Sequence, residues 1–193
     1  MKVNEIFYSL QGEGYHSGTA AVFVRLSGCN LCCPFCDTRH EAGEEMSEAE
    51  VVAAVKHYPA KTVVVTGGEP SLQLTPTLVG ALHAAGCRVH VETNGTRPLP
   101  DGVDWITLSP KDAFEGSRWR PVLAEADELK VVFDGVHHPD GYWSMAVRHR
   151  FLQPCDTGDR ERNAEIVRQA VDFCLTHPEW RLSLQIHKLL NIR

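Results

Sequence analysis

The stretch AAVFVRLSGCNLCCPFCDT, residues 20–38, runs from a continuous apolar segment straight into a loop with four cysteines in eight positions: Cys29, Cys32, Cys33 and Cys36. AAVFVRL (20–26) is apolar without alternation, as a strand covered on both faces is. Six more short runs of this kind follow: TVVVTG (62–67), RVHVET (88–93), DWITLS (104–109), ELKVVF (128–133), RFLQP (150–154) and RLSLQI (181–186). Helices are predicted between some of them. Ser47 with Glu50 three residues on is a capping box, opening a helix through about His57. Thr75-Pro76 supplies an N-cap and a proline at the first helical position, and Gly86 ends that helix. Ile166, Val167, Ala170, Val171, Cys174 and Leu175 recur at helical spacing between Asn163 and Leu175. Strands alternating with helices imply βαβ units and a parallel sheet. The stretches 92–104 and 110–128 hold no convincing helix. The predicted fold is therefore α/β, an open or partial barrel with some helices missing, with a flat doubly wound sheet as the alternative. No repeat or linker-like tract interrupts the chain, so residues 1–193 are expected to form a single domain.

Composition narrows the class. The chain has 193 residues, 43% of them hydrophobic and 23% charged, enough for a buried core in an ordinary globular protein. The N-terminus MKVNEIFYSLQGEG lacks the apolar run of a secretory signal, and nothing approaches the ~20 apolar residues of a membrane span. A cytoplasmic location with reduced thiols is expected, and an odd count of seven cysteines argues against a disulfide framework. A net charge of −6 gives no electrostatic reason to expect nucleic acid or an anionic membrane as partner, and leaves room for a small anionic substrate.

In parallel (β/α) sheets, function gathers at the carboxyl ends of the strands. The cysteine loop follows the first of these strands, and Gly67-Gly68-Glu69-Pro70 the second. Thr93-Asn94-Gly95 follows the third, Ser109-Pro110-Lys111 the fourth, Gln153-Pro154 the sixth and His187-Lys188 the last. The unusual polar and glycine-rich segments thus fall on one predicted rim. A structural zinc site pairs CxxC units separated by an intervening loop, whereas Cys29/Cys32 and Cys33/Cys36 abut. A short loop bearing glycine and proline, with thiolates converging from one side, suits iron–sulphur ligation. From this chemistry alone zinc and an iron–sulphur cluster both stay open. In GGEP two glycines let backbone approach a ligand, and a carboxylate can receive an ammonium group.

The spacing Cys29-x-x-x-Cys33-x-x-Cys36 after the first strand, with Phe35 before the last cysteine and GGEP one βα unit later, resembles the radical S-adenosylmethionine (SAM) enzymes. The resemblance covers nearly the whole chain. Its carrying stretches are NEIFYSLQGEG, FVRLSGCNLCCPFCDT, VVVTGGEP, VETNGT, LSPK and RLSLQIHKLLNI, and they are similar to the 7-carboxy-7-deazaguanine synthase family of queuosine and deazapurine biosynthesis. LQGEG combined with the C-terminal LQIHK is the most specific pairing. The resemblance implies a modified, incomplete (β/α) radical SAM barrel, a [4Fe–4S] cluster with one open iron for SAM, and a Mg²⁺-dependent homodimer. It implies that 6-carboxy-5,6,7,8-tetrahydropterin is contracted to 7-carboxy-7-deazaguanine with loss of ammonia. SAM would act catalytically, and an electron donor such as flavodoxin or ferredoxin would supply the reducing electron.

Carried over by position, the resemblance implies Cys29, Cys33 and Cys36 as cluster ligands, Cys32 as a spare thiol, and Thr38 as a hydroxyl ligand to Mg²⁺. Phe35, Cys36, Asp37, Gly68, Glu69, Ser109, Pro110, Lys111, Gln153 and Pro154 would hold SAM. Leu10, Gln11, Gly12, Arg25, Thr66 and the terminal carboxylate of Arg193 would meet the pterin, with Glu13 and His187 as further pocket residues. Taken singly, Thr38, Arg25, Glu13 and His187 each also read as turn, surface or strand-end residues. The sequence departs from the expected pattern at the extra thiol Cys32, at Cys155 beside the Gln153-Pro154 turn, at arginine in position 193 and in the brief region 112–126. Cys87 and Cys174 read as packing residues. The rival readings are another small radical SAM enzyme, such as a glycyl-radical activase, and a zinc-binding interaction protein.

Overall fold

A computed structural model describes residues 1–38 and 40–193. Nine strands form one sheet: β1 (Lys2–Leu10), β2 (Ala20–Leu26), β3 (Glu44–Glu45), β4 (Thr62–Gly67), β5 (Arg88–Thr93), β6 (Trp105–Leu108), β7 (Glu125–Phe133), β8 (Ala146–Pro154) and β9 (Trp180–Leu182). Their order is β3-β1-β2-β4-β5-β6-β7-β8-β9. From β2 to β9 every pairing is parallel, while β1 lies antiparallel to β2 and to β3. The α/β fold is the incomplete barrel expected, with its strands mostly parallel.

Three long crossovers carry helices: α1 (Glu48–Val55), α2 (Pro76–Ala84) and α4 (Arg160–Thr176). Each starts on a side-chain cap. Ser47 and Glu50 make the reciprocal capping box, Thr75 accepts the Leu78 N–H, and Asp159 accepts from Glu161 and Arg162. Between β5 and β6 the described chain holds no helix. Between β6 and β7 there is only the single turn α3 (Asp112–Glu115) and a 3₁₀ turn at Ser117–Trp119. Parallel strands β7 and β8 are joined through a 3₁₀ turn at Pro139–Tyr142. Two of these three connections are where the sequence lacked a helix, and the third, between β7 and β8, was not foreseen.

Strand parity sorts the sheet into two faces. Val22, Val24, Leu26, Val63, Val65, Val89 and Val91 pack beneath α1 and α2, on Val51, Val55, Leu78 and Leu82. Leu108, Leu129, Val131, Phe133 and Leu152 pack against α4 through Ile166 and Ala170. The intervening positions face inward. Phe7, Ala21, Phe23 and Val64 form a small apolar cluster there, and Arg25, Thr66, Glu92, Lys130 and Gln153 line a cavity.

Three details correct the sequence reading. MKVNEIFYSL contains a nine-residue strand, β1, so the cysteine loop follows the second strand of the chain. β7 and β8 begin three and four residues before the expected 128 and 150, extended along their mutual pairing from Glu125 and Ala146. The final run is a strand only to Leu182, because Ser183 turns its N–H to Leu152 O and its hydroxyl to Gln153. Ile186 then opens α5 (Ile186–Leu190), held by its N–H on the Gly12 carbonyl. Among the described residues no helix is long and apolar enough to cross a membrane.

Candidate functional site

The carboxyl ends of the parallel strands and the segment after β1 enclose one cavity of about 280 Å³. Leu10 pairs with Ala20 at the start of β2, so the chain after β1 enters from the far end of the barrel. It then crosses the inner face. Gln11 donates from Nε2 to Glu92 on β5 (2.8 Å), Gly14 N–H donates to Ser183, and Tyr15 N–H donates to Glu128 on β7. Gly12 is required by crowding, since an added Cβ would overlap the His187 ring. The last residues close the gap between β9 and β1: Ser9 Oγ donates to the Arg193 carboxyl-terminal oxygen (2.5 Å), and the Arg193 guanidinium pairs with Glu5.

Almost every residue expected at the site reaches this wall. Cys29, Cys33, Cys36 and Thr38 line it, as do Phe35, Asp37, Gly68, Ser109, Lys111 and Gln153. Leu10, Gln11, Gly12, Glu13, Arg25, Thr66, His187 and Arg193 line it too. Three expected SAM residues stand elsewhere. Pro110 and Pro154 are off the wall, and Glu69 is buried behind it. Glu69 accepts from Ser71 N–H, Thr93 Oγ1 and Asn94 N–H, at 2.9, 2.7 and 2.7 Å. Its carboxylate ties the β4 loop to the β5 loop, as a buried carboxylate must find donors. Cys32 is exposed and off the wall, and Cys155 is buried off it, its N–H on Phe133 O.

The cysteine loop and the Gly67-Gly68 turn press together. Gly68 N–H donates to Leu26 O and Glu69 N–H to Gly28 O, both at 2.9 Å. A Cβ at Gly68 would overlap the Gly28 carbonyl, so only glycine permits this contact. Burial raises the Cys29 thiol pKa and pushes that of Cys33 up to about 12. Both therefore favour the protonated form until a cation stabilises the thiolate. Among the described residues no three His, Cys, Asp or Glu side chains converge on a single metal-ion position. The three cavity thiols stand along the wall, an arrangement that fits a polynuclear iron–sulphur cluster better than one tetrahedral zinc.

Two charged groupings face the cavity. At one end Arg25 donates from Nε to Glu5 (2.9 Å) and from Nη1 to Thr38 Oγ1 (3.1 Å). At the other, Lys130 Nζ sits 2.5 Å from Glu13 Oε2 and 3.5 Å from Glu92 Oε2. Burial opposes the Glu13 charge, but the Lys130 ammonium and the Gln185 amide outweigh it and bring the pKa to about 2. Burial likewise opposes the Lys130 charge, and Glu13, Glu92 and Glu128 reverse the sign and raise its pKa. Burial, with a smaller push from the Glu92 charge, carries Glu128 up to about 7 against the pull of Lys130. Lys111, half-buried with its ammonium on Ser109 O and Oγ (2.6 Å each), is lowered by desolvation to about 8. Glu92, Lys130 and Gln185 were not among the expected site residues. The signal for the first two was present: each is a charge among the valines of a predicted parallel strand, at a position that strand parity turns inward.

With this geometry in hand, comparison with known proteins is specific. The model of the radical SAM superfamily matches residues 23–175. The chain is 52% identical to the 7-carboxy-7-deazaguanine synthase of Bacteroides thetaiotaomicron, over 100% of this chain and 98% of that protein. It is 44% identical to the synthase of the same name from Nitratidesulfovibrio vulgaris, over 99% and 98%. The crystal structure of QueE from Escherichia coli superposes with a TM-score of 0.78 at 28% identity, covering 96% of this chain and 94% of that one.

Proposed function

We infer that this chain, which belongs to the radical SAM superfamily and within it to the 7-carboxy-7-deazaguanine synthase family, contracts 6-carboxy-5,6,7,8-tetrahydropterin to 7-carboxy-7-deazaguanine with release of ammonia, a step of 7-deazapurine (queuosine) biosynthesis. The observation that carries this reading is a cavity lined together by Cys29, Cys33 and Cys36, by Arg25 beside them, and by Gln11 and Arg193.

When bound, the reduced [4Fe–4S] cluster supplies the electron that splits SAM into the radical that takes hydrogen from the pterin. Cys29, Cys33 and Cys36 would hold that cluster. Phe35, Asp37, Gly68, Ser109, Lys111 and Gln153 would surround SAM, the glycine letting backbone approach it. Arg25 has two of its five N–H groups engaged among the described residues, which leaves others to bind the substrate carboxylate. Thr38, hydrogen-bonded to Arg25, would offer its oxygen to Mg²⁺ beside that carboxylate. Gln11, Glu13 and Glu92 would face the N–H-bearing edge of the pterin.

Its partners are a small-molecule substrate and a reductant, and we read the reductant as a flavodoxin- or ferredoxin-type donor. Exposed Leu189, Leu190 and Ile192 on the C-terminal segment support the homodimer reading. The net charge of −6 supports the absence of nucleic acid from the partners, and seven free cysteines support a cytoplasmic location. The continuous sheet from Lys2 to Leu182 supports reading residues 1–193 as one domain. The test is an anaerobic incubation of iron-reconstituted protein with SAM, Mg²⁺, a strong reductant and 6-carboxytetrahydropterin, followed by mass spectrometry. A product lighter by one ammonia, with SAM largely retained, is the expected result. Cleavage of SAM with the pterin untouched would sink the assignment of substrate.

A further inference from the structure

Lys130 is an unusual residue for its position. It lies in mid-β7, 4% exposed, with valines following at 131 and 132, and the lysine stem occupies a core position of the barrel. A buried ammonium needs counter-charges, and here it has two on the cavity wall: Glu13 at 2.5 Å and Glu92 at 3.5 Å. These carboxylates arrive from separate elements, the loop after β1 and strand β5. Each is steered by one amide as well. Gln185 Nε2 donates to Glu13 Oε1 (3.0 Å) and Gln11 Nε2 to Glu92 Oε1 (2.8 Å).

We propose that Lys130 is a positioning residue for substrate recognition, holding Glu13 and Glu92 at a fixed spacing as the paired acceptors for the N–H-rich edge of the pterin. This rests on the function proposed above. The physical argument is that two carboxylates facing one small cavity do not both ionise at neutral pH unless a cation lies between them. Without the ammonium one of them takes a proton and turns from acceptor to donor. A pterin edge that presents N–H groups then meets a mismatched partner. The other titratable groups around Lys130 are Glu128 on its own strand, Lys111 beyond β6 and His187 on α5. Lys111 spends its ammonium on Ser109 and so does not replace Lys130. A salt bridge kept only for stability would not need to be polar, since a well-packed apolar group at a buried site is often as stable.

The experiment uses cluster-loaded protein with SAM and Mg²⁺, without reductant, and reads 6-carboxypterin binding by its fluorescence between pH 6 and pH 7.5. Wild type is expected to bind with little pH dependence. Lys130→Met is expected to bind about tenfold or more weakly at pH 6 and to recover part of that loss as pH rises, because the shared proton leaves. Lys130→Arg keeps a cation and should restore the flat profile. Weakening of Lys130→Met by the same factor at every pH, or no weakening, overturns the proposal. If Lys130→Met does not fold, the double variant Lys130→Met/Glu92→Gln, which removes the repulsion, is expected to fold and bind weakly with no pH trend. A double variant as unfolded as the single one counts against the charge argument. Failure of the wild type itself to bind 6-carboxypterin would strike the functional reading, and is distinct from every outcome among the variants.

Discussion

Replacing Glu128 by glutamine should make the protein more stable, and only above pH 5. Glu128 is 2% exposed in β7, on the inner face below the cavity, where its carboxylate accepts the Tyr15 N–H at 3.1 Å. Burial carries its pKa from 4.5 to about 7. The sign follows from which state holds the proton. Below about pH 4.5 both folded and unfolded chains are protonated at this group, and the folded state carries no penalty. Between about 4.5 and 7 the unfolded chain ionises while the folded one does not, so stability falls as pH rises. Above about 7 the folded carboxylate is also ionised and the full penalty stands. A displacement from 4.5 to about 7 corresponds to about 3 kcal/mol, at 1.36 kcal/mol per pH unit. Glutamine keeps an acceptor for Tyr15 and never ionises. In a chain of 193 residues, about 3 kcal/mol moves Tm by roughly 6–12 °C. Thermal unfolding of both proteins at pH 5 and pH 8.5, under anaerobic conditions, should show nearly equal Tm at the lower pH. At the higher pH the variant should melt later by that margin. Taking the difference between pH values cancels the contribution of the cluster to each. Equal differences at both pH values, or a variant that melts earlier at pH 8.5, would refute the account of Glu128 as a buried acid held near neutrality.

Two further outcomes test the site directly. Gly68→Ala must separate the β4 turn from the cysteine loop, which strains two backbone hydrogen bonds worth about 1 kcal/mol each and adds about 1–3 kcal/mol of overpacking. A lower Tm together with less iron per chain after reconstitution is expected, and a variant with wild-type iron content would contradict the close approach. Deleting Ile192 and Arg193 removes the oxygen that receives Ser9 and the guanidinium paired with Glu5. Because the Arg193 side chain is 71% exposed, Tm should barely move. The KM for the pterin should rise roughly ten- to hundredfold while SAM cleavage survives, and an unchanged KM would remove the terminus from the site.

Much of this architecture could be read in advance, and what could not has identifiable reasons. Parallel strands announce themselves by unbroken β-branched runs, α1 and α2 by residues whose side chains bond their own first turn, and α4 by its apolar periodicity, which left its Asp159 cap unread. The N-terminal strand escaped because β1 lies between β3 and β2 with Asn4 and Glu5 in its run, so it shows neither the unbroken apolar pattern nor a clean alternation. RLSLQI looked like a strand to its end because alternation says nothing of where a partner stops, and β9 has only β8 to pair with. Glu69 was expected at the cofactor because a carboxylate after two glycines can meet a ligand. The structure shows three internal donors already occupying it, a fact that only the fold of the β5 loop supplies. Lys130 and Glu92 were passed over because each sits inside a strand, away from the strand-end loops where function was sought.

The two charged groupings give the cavity a direction, and that direction bears on how a substrate would lie in it. Arg25, with N–H groups to spare, stands beside Thr38 and therefore beside the cysteine loop. Glu13, Glu92 and Lys130 stand where the segment after β1 crosses strands β5 and β7. A ligand with a carboxylate at one end and ring N–H groups at the other fits this polarity in only one orientation, since reversal would set its carboxylate against Glu13 and Glu92. On the proposed function, that orientation brings the carboxylate end of the pterin toward the cysteine loop, where the hydrogen is to be removed. Neutralising the acidic end, by Glu13→Gln with Glu92→Gln, should then weaken discrimination between 6-carboxypterin and an aromatic carboxylate lacking ring N–H groups. The selectivity ratio in a competition binding assay is the quantity to follow. A ratio that stays at the wild-type value would mean that the acidic end does not read the pterin, whatever Arg25 does at the other.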